Sequence, residues 1–190
     1  MTAPLPPSSK ARMGFIAGVA LLLGACERKT ELPLDLAANL AAPYDYYING
    51  MHTIRYTASG QRSYQLAADR VTHFPDDDHA ELTNPDLLWY QQQGTPWTLV
   101  ASAGNLHRNA GEDELTLTGN VQLNTTLETE GALRVESSQM RVLPASQLAS
   151  SEAEVTLTTT STHLQSTGMQ INLPENHVTL LNNVRGTHAP

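Results

Sequence analysis

From Glu114 to Leu123 the chain reads Glu-Leu-Thr-Leu-Thr-Gly-Asn-Val-Gln-Leu. Leu115, Leu117, Val121 and Leu123 are apolar, and Thr116, Thr118 and Gln122 between them are polar. A period of two belongs to a strand with one buried face. Gly119-Asn120 has the composition of a two-residue hairpin turn. In such a hairpin Thr118 would face Val121 and Leu117 would face Gln122, so each apolar residue would oppose a polar one. Read straight through, Leu115, Leu117, Gly119, Val121 and Leu123 stay in phase. The spacing therefore predicts one long strand, bent or bulged at Gly119.

The rest of the body repeats this grammar from Tyr44 onward, with no long helical period. Ile54 and Tyr56 alternate before a turn at Ser59-Gly60; Tyr64, Leu66 and Ala68 alternate before a loop at Pro75 to Asp78. Asn84-Pro85 predicts a bend and Gly94-Thr95-Pro96 a turn. Leu133 and Val135, then Met140 and Val142, predict two short strands around Ser137-Ser138. Gln147 to Ala153 is compatible with a helical turn. Met169, Ile171 and Leu173 alternate, Pro174 to His177 turns, and Val178 and Leu180 return. Turn signals recur about every 8–12 residues, the spacing of an all-β sandwich or barrel. The inward set is mostly aliphatic: Leu66, Leu82, Leu99, Leu115, Leu117, Val121, Leu123, Leu133, Val155, Leu157 and Ile171. It is either an ordinary core or the lining of two sheets that stand apart enough to admit lipid chains.

Residues 1–26 read as an export segment. Lys10 and Arg12 precede an apolar run from Gly14 to Ala25, and Glu27-Arg28-Lys29 ends it. The run is roughly a dozen residues, the length of a signal-peptide core and short of the ~18 that span a bilayer. It ends Leu23-Gly24-Ala25-Cys26, which resembles a bacterial lipobox with Cys26 as the site of lipid attachment; the alternative is a short uncleaved anchor. In both cases the body lies on the periplasmic face of the inner membrane, because Lys10 and Arg12 hold the N-terminus in the cytoplasm. Residues 27–43, with Pro33 and Pro43, predict a tether, and residues 44–190 the β-body.

The net charge of −8 gives no basic footprint, so nucleic acid is not an expected partner. The single cysteine, Cys26, excludes an internal disulfide and a cysteine-based metal site. Asp76-Asp77-Asp78-His79 lacks the spacing of a calcium loop and the paired histidines of a zinc site, and reads as a solvated acidic loop. No nucleophile elbow and no P-loop is present, so neither an enzyme nor a cofactor is expected.

Together and in order, several pieces resemble one family. They are Pro43-Tyr-Asp45, Gly60 with Ser63-Tyr-Gln-Leu-Ala-Ala68, Leu82-Thr-Asn-Pro85, and Trp97-Thr-Leu99 with Ala101 and Gly104. Leu115-Thr-Leu-Thr-Gly-Asn-Val121, Gly168-Met169 and Val184-Arg-Gly186 follow. The chain is similar to LptC, the membrane-tethered periplasmic component of lipopolysaccharide export. The resemblance implies an open β-jelly roll of two antiparallel sheets behind an N-terminal anchor. It implies a protein that receives lipopolysaccharide from an ATP-driven permease complex, permease and ATPase subunits together, and hands it to the LptA bridge. The aliphatic set would line the trough for acyl chains. The N-terminal edge would meet the permease. The C-terminal edge, with Gly168 at the start of its strand, then Met169, Ile171, Val184 and Gly186, would dock LptA. The chain departs from the family in its short N-terminal run, since the family usually keeps a transmembrane helix. Two other classes stay open: a periplasmic glycan-binding β-domain, for which Trp89 and Trp97 are the available tryptophans, and a structural lipoprotein without cargo.

Overall fold

A computed structural model describes residues 43–189 except positions 93, 109, 110, 129 and 130. The expected lipobox at Cys26, the export segment and most of the tether lie outside the described residues.

Among the described residues there are eleven strands: β1 Tyr46–Tyr56, β2 Arg62–Phe74, β3 His79–Thr83, β4 Asp86–Trp89, β5 Trp97–Val100, β6 Ala103–His107, β7 Glu114–Leu127, β8 Gly131–Leu143, β9 Leu148–Thr158, β10 Thr162–Asn172 and β11 His177–His188. They form one antiparallel sheet. β3 and β4 are a single pass along β2 in one register, Phe74 opposite His79 and Tyr64 opposite Trp89, interrupted at Asn84-Pro85. The interruption follows from proline, which has no N–H for the ladder, and from Asn84, whose φ is 48°. β5 and β6 continue one another in the same way around Ala101-Ser102. The sheet is thus an up-and-down meander of nine passes, with β1 and β11 at its edges.

A line of backbone irregularities crosses this meander at mid-strand. Gly50, Asn84, Gly119, Asn120, Gly168 and Asn183 all have positive φ, and all lie within passes rather than at the turns between them. Registers slip between Thr118 and Val121, Ser137 and Arg141, and Thr167 and Met169. Glycine and asparagine stand here because they tolerate the left-handed conformation a bulge imposes. Neighbouring side chains pair along the line. Asn84 Nδ2 donates to Asp69 Oδ2 at 2.8 Å, Asn183 Nδ2 to Thr167 Oγ1 at 3.3 Å, and Ser137 Oγ to the Glu154 carbonyl at 2.9 Å.

The bends bring opposite ends of the meander together. The connections after β4 and after β8 lie at opposite ends of the meander, yet the Trp89 indole reaches the carbonyl of Pro144. The sheet therefore closes over its own apolar face. Leu87, Leu99, Leu115, Leu117, Val121, Leu123, Val135, Met140, Val142 and Met169 have no exposed surface.

The long strand through Gly119 is found as expected, Glu114–Leu127 with a bulge at Gly119-Asn120. Two local expectations are corrected. Leu133 to Val142 is one strand, β8, rather than two, because the slip between Ser137 and Arg141 bends the strand without ending it. Residues 148–153 begin β9 and form no helical turn; they pair with the ends of β8 and β10, and tertiary pairing overrides local preference.

Candidate functional site

All eleven residues expected to line a trough point into the shared interior: Leu99, Leu115, Leu117, Val121 and Leu123 at 0% exposure, and the least buried, Leu157, at 7%. They belong to one hydrophobic core cluster and pack together in it. Trp89 and Trp97 are opposite each other in the β4–β5 pair and each is 1% exposed. They are core residues and offer no platform for stacking sugars.

The interior is shut along a seam where the end of β4 meets the turns after β8 and β10. Trp89 Nε1 donates to Pro144 O at 3.0 Å. Gln91 Nε2 donates to Leu173 O at 3.4 Å and to Asn176 Oδ1 at 3.1 Å. Beside these bonds the seam opens into a cleft of about 860 Å³.

The two edges of the sheet are of a different character. β1 and β11 are exposed along most of their length. Of the large hydrophobic residues exposed among the described residues, Tyr46, Tyr47, Ile48 and Tyr56 are on β1 and Leu181 and Val184 on β11; only Leu148 is elsewhere. Unpaired N–H and C=O groups alongside apolar side chains make a template for another strand.

The start of β1 is pinned. His73 on β2 stacks on Tyr46, centroids 4.8 Å apart. Its Nδ1 lies 2.7 Å from Asp45 Oδ1 and its Nε2 3.0 Å from Asp78 Oδ1. A carboxylate only accepts, so the two bonds together require both ring nitrogens to carry protons. The hydrogen bonds that the ring donates to Asp45 and then Asp78 hold the imidazole above its ordinary pKa. The bond from His73 holds Asp45 below the usual carboxylate range. In the acidic loop Asp77 bonds the ring of His79, which stacks between Phe74 and His107. Among the described residues no group of three His, Cys, Asp or Glu side chains is arranged to hold a metal ion.

The residues expected at the C-terminal docking edge separate. Val184, 53% exposed, and Gly186 are on edge strand β11. Met169 and Ile171 are buried in β10, one strand in from the edge. Gly168 lies in the middle of β10 rather than at its start: its φ is +87°, and a side chain there would meet Leu181. A Cβ on Gly186 would strike the His163 carbonyl, so glycine is required for β10 and β11 to pair there. The resemblance pointed to both edges, but residues were named only at the C-terminal one. The signal for the N-terminal edge was present in Tyr46-Tyr47-Ile48, three large residues in a row where a half-buried strand would alternate.

The model of one protein family, LptC: Lipopolysaccharide-assembly, LptC-related, matches residues 15–189. No curated protein matches the chain. Among solved structures the chain is similar to LptH, described as the LptA-homologous periplasmic component of the conserved lipopolysaccharide transport device from Pseudomonas aeruginosa. The TM-score is 0.52 at 7% identity, over 67% of this chain and 95% of that one. At that identity the likeness is one of fold.

Proposed function

The chain belongs to the LptC family of lipopolysaccharide-assembly proteins, and from that premise we propose that its folded sheet takes lipopolysaccharide acyl chains into its interior and passes them from one edge to the other. Membership of the family supports a role in lipopolysaccharide transport, as a transport component rather than an enzyme, with an inner-membrane or periplasmic location. In this reading the two arms of the bent sheet act as the two layers of an open jelly roll. The permease and ATPase subunits of the inner-membrane transporter supply cargo at the β1 edge, and an LptA-like jelly roll takes it at the β11 edge. The anchor is the N-terminal segment, lipidated at Cys26 or left as an uncleaved span.

The observation that carries the reading is the column of buried aliphatic side chains, drawn from β2 to β10, between two unpaired and apolar edges. Each acyl methylene taken from water is worth about 0.8 kcal/mol. A packed core gains little by exchanging its own side chains for lipid, so cargo must part the arms along the seam at Trp89 and Gln91. The exposed edges extend the route, since strand addition joins one roll to the next through main-chain hydrogen bonds.

The test is photo-crosslinking from position 117 in cells. A photoreactive residue replacing the fully buried Leu117 should crosslink to lipopolysaccharide while export runs. Crosslinks only within the protein would leave Leu117 a core residue and remove the trough.

A further inference from the structure

The cleft beside the seam has its own chemistry. Gln61, Gln91, Gln92, Gln147 and Asn176 bring five carboxamides into it from four connections of the sheet. Arg62 stands beside them, its guanidinium 5.7 Å from the centroid of the Tyr90 ring. Among the described residues no Asp or Glu lines the cleft, in a chain with 19 of them against 11 Lys and Arg. The surface is acidic on balance, and the cleft is locally neutral to positive.

A carboxamide presents a donor and an acceptor side by side, the arrangement that neighbouring sugar hydroxyls satisfy. The fork of Arg62 suits a phosphate, and its charge is not offset by a carboxylate in the cleft. Leu173 lines the cleft and is also fully buried in the core. A molecule with its polar end among the carboxamides would therefore begin its apolar part at the interior.

We propose that the cleft of Arg62 and the five carboxamides is a binding site for a phosphorylated oligosaccharide, the head of an amphiphile whose chains enter the sheet through the adjoining seam. The proposal rests on the interior being the acyl site and adds a separate site for the head. The side chains that close the seam, Gln91 and Asn176, also line the head site. A bound head competes for the hydrogen bonds that hold the arms together, so head binding and opening of the interior are coupled.

The test uses the full-length chain in nanodiscs of uncharged phospholipid, titrated with a glucosamine disaccharide bisphosphate that lacks acyl chains. The unphosphorylated disaccharide and inorganic phosphate are titrated in parallel. Arg62→Ala and Gln92→Ala are the variants, since both side chains are exposed and their loss leaves the core intact. Saturable binding of the bisphosphate is expected, at least tenfold weaker in each variant, with weaker binding of the unphosphorylated sugar and none of phosphate alone. No saturable binding by the wild type, binding that both variants retain, or equal binding of phosphate alone would each overturn the site. A fluorescent fatty acid reports on the interior separately. Its uptake without saccharide binding sinks the head site alone, and saccharide binding without its uptake sinks the acyl reading alone.

Discussion

The indole N–H of Trp89, at the last residue of β4, donates to the carbonyl oxygen of Pro144, in the turn after β8, across 3.0 Å. Fifty-five residues separate the partners, and the bond is buried. It fastens one arm of the bent sheet to the other. Trp89→Phe keeps an aromatic ring and leaves the carbonyl without its donor, a loss of about 1–3 kcal/mol. The melting midpoint should fall by about 2–4 °C for each kcal/mol, and uptake of a fluorescent fatty acid should become faster. A lowered midpoint with unchanged uptake would show that this bond does not gate the interior.

Gly119 bends the organising strand. Its φ is +74°, and a Cβ there would meet Ser102 on the neighbouring pass at 3.1 Å, not a facing layer. Gly119→Val should lower stability by about 1–3 kcal/mol, because a β-branched residue is strained in that conformation. Gly119→Asn should cost less, since asparagine tolerates it. Equal midpoints for both variants in denaturant titration would place the strain elsewhere.

The pin at the start of β1 depends on pH in two directions. The pKa of His73 is raised above 6.5 in the folded state. Its contribution is complete below about 6.5, the unfolded value, and is lost as pH rises through the folded value. Asp45 and Asp77 are lowered from 3.8. Their contributions are complete above that value and are lost as pH falls through the folded ones. Amide exchange at Asp45 and Tyr46 should therefore be slowest between about pH 4 and 6.5, after correction for intrinsic exchange. His73→Gln should remove the alkaline arm and weaken the acid arm at these amides, since the bond to His73 is the largest cause of the lowered Asp45, while Asp77, bonded to His79, keeps its own.

Val184 is exposed on the outer edge strand. Val184→Asp should leave stability within about 0.5 kcal/mol and weaken pull-down of an LptA-like partner. Gly186→Val, by contrast, should separate the end of β11 from β10 and lower the midpoint as well. A folded Val184→Asp protein that captures the partner as well as wild type would exclude this edge.

For the anchor, labelled palmitate should enter the wild-type chain and be absent from Cys26→Ser. Absence of label from both, with equal mobility, would favour the uncleaved span.

What the sequence determined by itself was periodicity. Leu115, Leu117, Val121 and Leu123 had to share a face because strands alternate every residue, and that phase survived the bulge at Gly119. The resemblance motifs Asn84-Pro85, Gly119-Asn120 and Gly168 were also readable as backbone punctuation, since each residue type restricts or permits particular φ values. The tertiary structure decided that these points fall on one line, because register between strands is a relation between distant segments that no local window contains. The same reason hid the seam. Nothing near Trp89 specifies Pro144 as its partner, and nothing near Gln91 specifies Asn176; only the bend of the sheet brings those connections together. Alternation could name an inward face, but whether that face closes on protein or on lipid depends on the distance between arms, which is set by packing in three dimensions.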